Sequence, residues 1–266
     1  MIRQLALCFA SCILPGTCLA QSPTEVSEFH DRVVELIQEV SSRPLTPGDT
    51  FLTWNPKPGG LIHTIRVTDT TAAATLLRGD GMIGTAAVRL VRNRPASFDV
   101  VWTTRDSATG KALPDRESHG VVVGDSMRIS GTKPQVTSIP PGRWAIADFG
   151  MEELLIPLLR DLPIGGPHRV AVFRPWHGRW DSISVQVRDT AGVRFVDERQ
   201  GIALGDAKQT HEVVILNAQG DLLAIVRFDQ ADERRPLEGS ARWAEYRKTV
   251  PSLVPIIRQF ATPPNP

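Results

Sequence analysis

Hydrophobic and polar residues alternate in short runs along most of the chain from residue 50 onward. Ile183, Val185 and Val187, for example, are separated by polar residues. A period of two predicts strands with one buried face, and turns containing glycine or proline punctuate the runs. The pattern therefore predicts a mainly β (α+β) fold, an antiparallel sheet or barrel over residues 50–247.

Two strands near the C-terminus have a different pattern. Residues 213–216 and 222–226 are apolar on both faces, whereas a half-buried strand needs only one apolar face. A second element should therefore cover them. Residues 148–162 predict a helix that is apolar almost all round, and we expect the sheet to wrap around this central helix. Pro157 should kink it or split it into two short pieces.

The first 20 residues have the three parts of a secretory signal. Arg3 supplies a positive charge, an uncharged apolar run covers residues 5–14, and small residues precede an expected cleavage after Ala20. The run is shorter than the roughly 17–25 residues of a membrane-spanning helix. We therefore expect an exported protein, periplasmic or secreted, without a transmembrane segment after signal cleavage.

The rest of the chain divides into three parts. Residues 21–49 predict an N-terminal amphipathic helix, over 24–41, and a linker, because apolar residues there recur at spacings of three and four. Residues 50–247 form the predicted antiparallel domain. Residues 248–266 are expected to be a proline-rich C-terminal tail.

Composition narrows the classes of function. The chain has 30 basic and 29 acidic residues, and removing the signal takes away one basic residue, so a nucleic-acid partner is not expected. All 3 cysteines lie in the signal, which leaves no thiolate for catalysis or metal binding. No two of the 6 histidines have helical ligand spacing, and the chain lacks phosphate-binding and dinucleotide-binding glycine motifs. We therefore predict no metal site and no cofactor.

One motif resembles a catalytic one. Gly124, Asp125 and Ser126 follow a predicted strand, as in the nucleophile block of secreted lipases and esterases of the Gly-Asp-Ser type. Those enzymes take their base from a downstream Asp-x-x-His, which this chain lacks. We expect a hairpin turn here and predict no catalytic residue, although a secreted hydrolase using Ser126 stays as an alternative.

Two further features are candidates for binding. The turn at residues 174–180 contains Trp176, Arg179 and Trp180, a combination that suits an anionic or amphiphilic partner. The alternative is that both indoles fold back as core at the strand ends. His63 shares a face with inward apolar residues, so it lines a cavity or is a core histidine with its hydrogen bonds satisfied.

The order of elements suggests a family. The helical segment 151–163 is followed by strands at 168–174, 180–188 and 192–197 and by a hairpin at 211–229. This order resembles bacterial exported proteins, many of unknown function, that have the half-open β-barrel of the periplasmic lipoprotein carriers. The resemblance implies a curved antiparallel sheet or half-open barrel with the central helix across its concave face. It also implies an apolar cavity between sheet and helix, where such carriers hold acyl chains. It transfers no binding residue, because the family has no fixed motif.

These observations lead to a first hypothesis and two alternatives. The first hypothesis is a non-enzymatic exported protein that binds or carries a lipid-like amphiphilic ligand in an apolar cavity. The alternatives are a cell-envelope structural or interaction module without a ligand and the hydrolase named above. For the first hypothesis, the expected ligand-binding residues are Leu154, Leu155, Leu158, Leu159, His63, Trp176, Arg179 and Trp180.

Overall fold

The computed structural model describes residues 49–54, 61–78, 82–105, 112–148, 150–190, 192–200, 211–228, 232–238, 240 and 242–261. The expected signal and the expected N-terminal helix lie outside these residues.

The described chain folds into one sheet of 15 strands. Alternating buried and exposed side chains, as in β4, account for most of them. The strands are β1 (Asp49–Trp54), β2 (Leu61–Val67), β3 (Thr71–Arg78), β4 (Ile83–Val91), β5 (Arg94–Arg105), β6 (Ala112–Val123), β7 (Ser126–Gly131), β8 (Gln135–Ser138), β9 (Trp144–Ile146), β10 (Gly165–Arg174), β11 (Arg179–Thr190), β12 (Val193–Gln200), β13 (His211–Leu216), β14 (Leu222–Arg227) and β15 (Asp232–Pro236).

The strand order has a simple plan. It runs from β8 down to β1, continues through β15, and then descends from β14 to β9. All pairs are antiparallel except β9 with β10. Strand β15 pairs with both β1 and β14, so it joins the two halves of the sheet. The predicted mainly antiparallel β fold is confirmed.

The two edges of the sheet meet through side chains at a seam, where β8 lies against the turn between β10 and β11. Gln135 Nε2 donates to the carbonyl oxygen of Gly178 at 2.6 Å. Trp180 Nε1 donates to Thr137 Oγ1 at 3.1 Å. Among the described strands, β8 and β9 each pair along one side only. The sheet is therefore a half-open barrel, curled until its edges touch but not closed by a backbone ladder.

The inner face of the barrel is packed against residues 151–162, which we call the plug. The plug consists of a 3₁₀ turn, Glu152–Leu155, followed by a short helix, α1 (Ile156–Arg160). The predicted helix is thus split in two, and Pro157 lies in the first turn of α1, where a missing N–H costs nothing. Six apolar side chains of the plug are buried in one core with the strands: Met151, Leu154, Leu155, Ile156, Leu159 and Leu162.

The plug spans the barrel from one end to the other. At its start, a Cβ on Gly84 of β4 would lie 2.3 Å from the terminal methyl of Met151 and 2.8 Å from the ring of the buried Trp102, so the missing side chain lets Met151 and Trp102 pack there. At its end, Arg194 NH1 donates to the carbonyl oxygens of Arg160 and Leu162 at 2.5 and 3.1 Å. These bonds satisfy carbonyls that a helix leaves open at its C-terminus.

The outer face of strands β12 to β14 is covered by a C-terminal helix, α2 (Trp243–Ala261). Tyr246, Val250, Leu253 and Ile257 form its buried stripe, at spacings of four, three and four residues. Regular structure therefore continues beyond residue 247, the expected domain boundary, in spite of Pro251 and Pro255. Burial of this stripe outweighs the two hydrogen bonds that the prolines remove.

The two-faced apolar strands are thus covered on both sides. Val214 and Ile225 point to the plug, whereas Val213, Ile215 and Leu223 pack against α2. The segment 148–162 was expected to cover the second apolar face of these strands. No element was predicted to cover their outer face.

The packing of α2 predicts the effect of a large-to-small substitution. Leu253→Ala should lower the free energy of unfolding by about 2–5 kcal/mol, because it leaves a cavity under the helix. Arg247→Ala, on the exposed side of the same helix, should change it by less than about 0.5 kcal/mol. Urea unfolding of both variants checks this, and equal values would mean that α2 does not pack on the sheet.

Candidate functional site

A cleft opens at the end of the barrel where the plug finishes. Its volume is about 200 Å³. The walls come from β1, β2, α1, the β13–β14 turn and the residue before α2. Five apolar side chains line it, namely Phe51, Ile65, Val67, Ile156 and Leu222, and four charged ones, namely Arg66, Arg160, Asp221 and Arg242.

On the charged side of the cleft, one carboxylate pairs with two arginines. Asp221 Oδ1 accepts from Arg160 NH2 at 3.1 Å, and its Oδ2 lies 2.6 Å from Arg242 NH2. Arg160 Nε also donates to the carbonyl oxygen of Gly220 at 2.6 Å. A Cβ on Gly220 would lie 2.9 Å from the Arg160 side chain, so the bare backbone there lets the arginine lie flat against the turn.

A cluster of buried charges lies deeper in the barrel, toward the opposite end. Glu152 and Glu153 from the plug are both paired with Arg234 of β15, at 3.1 and 2.8 Å. Arg227 of β14 donates to Glu212 of β13 through Nε and NH2, at 3.1 and 2.9 Å. Because the interior is apolar, such charges are tolerated only when they are paired.

Two more charged residues belong to this cluster. Glu198 lies directly opposite Glu212 across β12 and β13, and both are fully buried. Arg174 is 6% exposed and is close enough to act on Glu152. Among the described residues the cluster therefore combines four carboxyl groups with three guanidiniums, and one atom of Glu212, Oε1, has no hydrogen-bond partner.

Burial and neighbouring charge shift the carboxyl groups in opposite directions. Burial raises the pKa of Glu152, but Arg234, Arg227 and Arg174 outweigh it and hold the pKa below its usual value. Burial raises the pKa of Glu212, and the charge of Glu152 adds to this, so its bonds from Arg227 do not bring it back. Glu212 therefore accepts a proton more readily than Glu152 does.

The predicted leucines mostly belong to the core. Leu154, Leu155 and Leu159 are 4%, 0% and 0% exposed and pack against the strands, whereas Leu158 is half-buried. None of them lines the cleft, which takes Ile156 and Arg160 from the plug instead. These two were not on the sequence-based list of site residues.

The aromatic turn forms part of the seam. Trp176 packs edge-on against Trp102, with a centroid distance of 5.4 Å, and the Arg116 guanidinium lies 4.0 Å above its ring. Asp148, fully buried, accepts from Trp102 Nε1 at 2.9 Å and from the Trp176 backbone N–H at 3.0 Å. Both predicted tryptophans, Trp176 and Trp180, are half-buried and packed against the core.

The remaining members of the turn differ in exposure. Arg179 is exposed, whereas its neighbour across the hairpin, Arg174, is buried. Burial and the charge of Arg179 lower the pKa of His177. The turn therefore anchors the seam with its aromatic side chains and presents Arg179 to solvent.

The other predicted residues lie apart from the cleft's charged rim. His63 is in β2, paired with Phe51 and Leu76, and its side chain lies outside the described part. Ser126 opens β7 opposite Val123, as the predicted hairpin requires. His119 lies four positions further along β6, about 13 Å away at 3.3 Å per residue, so these two do not form a nucleophile–base pair.

In the part of the chain that is described, no group of three or more His, Cys, Asp or Glu side chains could hold a metal ion. The carboxylates of the buried cluster are engaged by arginines instead.

Sequence reasoning missed both sets of charges. A signal for the buried cluster existed, because Glu198 and Glu212 continue the inward register of Val196 and Val214 along their strands. For the cleft no comparable signal existed. Arg66, Arg160 and Arg242 lie far apart in the chain and come together only through the strand order.

Comparison with known proteins finds similarity at the level of solved structures. No protein-family model matches the chain, and no curated protein matches it. A crystal structure of a β-barrel-like protein of a domain of unknown function, DUF1849, from Brucella abortus is similar at 8% sequence identity and a TM-score of 0.46. The similarity covers 71% of this chain and 92% of that one.

Within the ranges that the structure describes, none of the helices combines the length and the apolar character needed to cross a membrane.

The raised pKa of Glu212 predicts a pH dependence of stability. A carboxyl whose folded pKa exceeds its ordinary value of 4.5 stabilises the fold below that pH and loses this contribution as the pH rises through the folded pKa. Glu212→Gln should therefore gain stability relative to the parent protein as the pH rises above 4.5.

Urea unfolding of both proteins from pH 4 to pH 8 measures this difference, with the exposed Glu238→Gln as the matched control. A difference that stays constant across the range for Glu212→Gln would contradict the raised pKa.

Proposed function

We propose that this protein is an exported, non-enzymatic binding protein for a lipid-like amphiphilic ligand, which it receives at the cleft. One observation carries the proposal: the cleft combines an apolar floor with guanidinium groups in one small space. Phe51, Val67 and Ile156 offer contacts to a hydrocarbon segment, and arginines next to them offer hydrogen bonds to a polar head.

The size of the cleft limits what it can enclose. Sites for drug-sized ligands measure about 300–1,000 Å³, and this cleft measures about 200 Å³. It suits a head group with the first carbons of a chain, while the plug occupies the space where a longer cavity was expected. The ligand is therefore held by one end, at the point where the plug meets the β13–β14 turn.

A second candidate function, a cell-envelope interaction module, is favoured by a patch on the outer face near the edge strand β8. Val121 pairs with Arg128 and Arg128 pairs with Val136, which places the three in one row across β6, β7 and β8. Val121 and Val136 are 54% and 69% exposed, and Val123, next in line, is 48% exposed. Val121 and Val123 share one face of β6, and Arg128 separates Val121 from Val136, so the patch combines three exposed apolar side chains with one cation, which suits docking of another protein.

Native mass spectrometry of the exported protein, followed by organic extraction, tests the first proposal. We expect a stoichiometric amphiphile on the parent protein. Val67→Asp should lose it, because a carboxylate on the apolar floor repels both the hydrocarbon and an anionic head. Val91→Asp, on an exposed strand end, should keep it.

A clean ligand-free mass for the parent protein, or a ligand that Val67→Asp retains at full occupancy, would contradict binding at the cleft. In the first case the interaction module becomes the better account.

A further inference from the structure

The charged side of the cleft has a marked excess of positive charge. Three arginines line it, Arg66, Arg160 and Arg242, against a single acidic residue, Asp221. Glu245 pairs with Arg242 at 3.2 Å from the first turn of α2, outside the lining. With that carboxylate included, the described residues around the cleft still carry more positive than negative charge.

The arginines are held in place before any ligand arrives. Asp221 divides its two oxygens between Arg160 and Arg242, so the two guanidiniums face each other across one carboxylate. Arg160 is fixed a second time by the carbonyl oxygen of Gly220. A binding group that is already oriented loses less conformational entropy when a ligand binds.

The turn that presents Asp221 is itself rigid. Asn217 is 7% exposed, and its Oδ1 accepts from the backbone N–H groups of Gln219 and Asp221 at 3.0 and 2.8 Å. Its Nδ2 donates to Glu245 Oε1 at 3.1 Å, which ties the turn to α2. The positions of Asp221 and of both arginines therefore depend on a turn that is hydrogen-bonded on both sides.

We propose, as a refinement that rests on the proposed function, that the head group bound in the cleft is a phosphate monoester, engaged by Arg66, Arg160 and Arg242. A phosphate monoester has three terminal oxygens and close to two negative charges at neutral pH, and guanidinium groups bind it through paired hydrogen bonds. A carboxylate has two oxygens and one charge, so it engages fewer of the three arginines. A cationic head is repelled by all three.

Isothermal titration calorimetry of the full exported protein tests this with three probes at concentrations below micelle formation: dodecyl phosphate, dodecyltrimethylammonium and inorganic phosphate. We expect dodecyl phosphate to bind most tightly and to weaken as salt is added, and dodecyltrimethylammonium not to bind. Arg66→Ala should weaken the binding of dodecyl phosphate about tenfold or more, since the substitution removes a charged hydrogen-bond donor. Arg169→Ala, exposed on β10, should leave its affinity unchanged.

The outcomes separate the two proposals. Equal affinity for dodecyl phosphate and dodecyltrimethylammonium would overturn the phosphate assignment and leave amphiphile binding in place. Equal affinity for dodecyl phosphate and inorganic phosphate would support the phosphate site and overturn the amphiphile. No binding of any probe, or no effect of Arg66→Ala on dodecyl phosphate, would overturn the assignment of the head group to this cleft.

Discussion

The buried pairing of Arg234 with Glu152 and Glu153 is the constraint on which the rest of the structure depends. Arg234 is 2% exposed and belongs to β15, the strand that joins the two halves of the sheet. The two glutamates begin the plug. Moving the plug away from β15 would leave charges unpaired in an apolar interior, at a cost of about 3–5 kcal/mol. The plug is therefore held to the strand around which both halves of the sheet are arranged.

From that attachment the position of the candidate site follows. With its first turn held at β15, the plug extends along the barrel and buries Leu155 and Leu159 in the core. Arg160, the last residue of α1, reaches Gly220 and Asp221 at the rim. The apolar surface that remains open to the proposed ligand therefore lies at the end of the plug, beside the arginines. Most apolar side chains along the length of the plug are buried in the core.

Much of the fold could be predicted from the sequence, because alternation and glycine turns are local signals. The hairpin at Ser126 and the division of the central helix at Pro157 follow from neighbouring residues alone. The continuation of helix α2 beyond residue 247 was not predicted, because its prolines are a local signal against helix, whereas the burial of Leu253 and Ile257 on the outer face is a long-range effect. The cleft depends on long-range pairing throughout, since Arg66 and Arg242 line the same cleft only because β1 and β15 pair. The leucines of the plug were expected to line a cavity because apolarity alone does not distinguish a lining residue from a core residue.

Hydrogen–deuterium exchange of the full protein, with and without dodecyl phosphate, tests most directly whether the plug stays in place while the proposed ligand binds at its end. Our account predicts slower exchange in residues 65–67, 156–160 and 217–222, and unchanged exchange in residues 152–155, in β12 and β13, and in residues 223–227 of β14. Faster exchange in residues 152–155, or protection spread along the inner strands, would mean that the plug moves and the ligand enters the barrel, which would contradict the account.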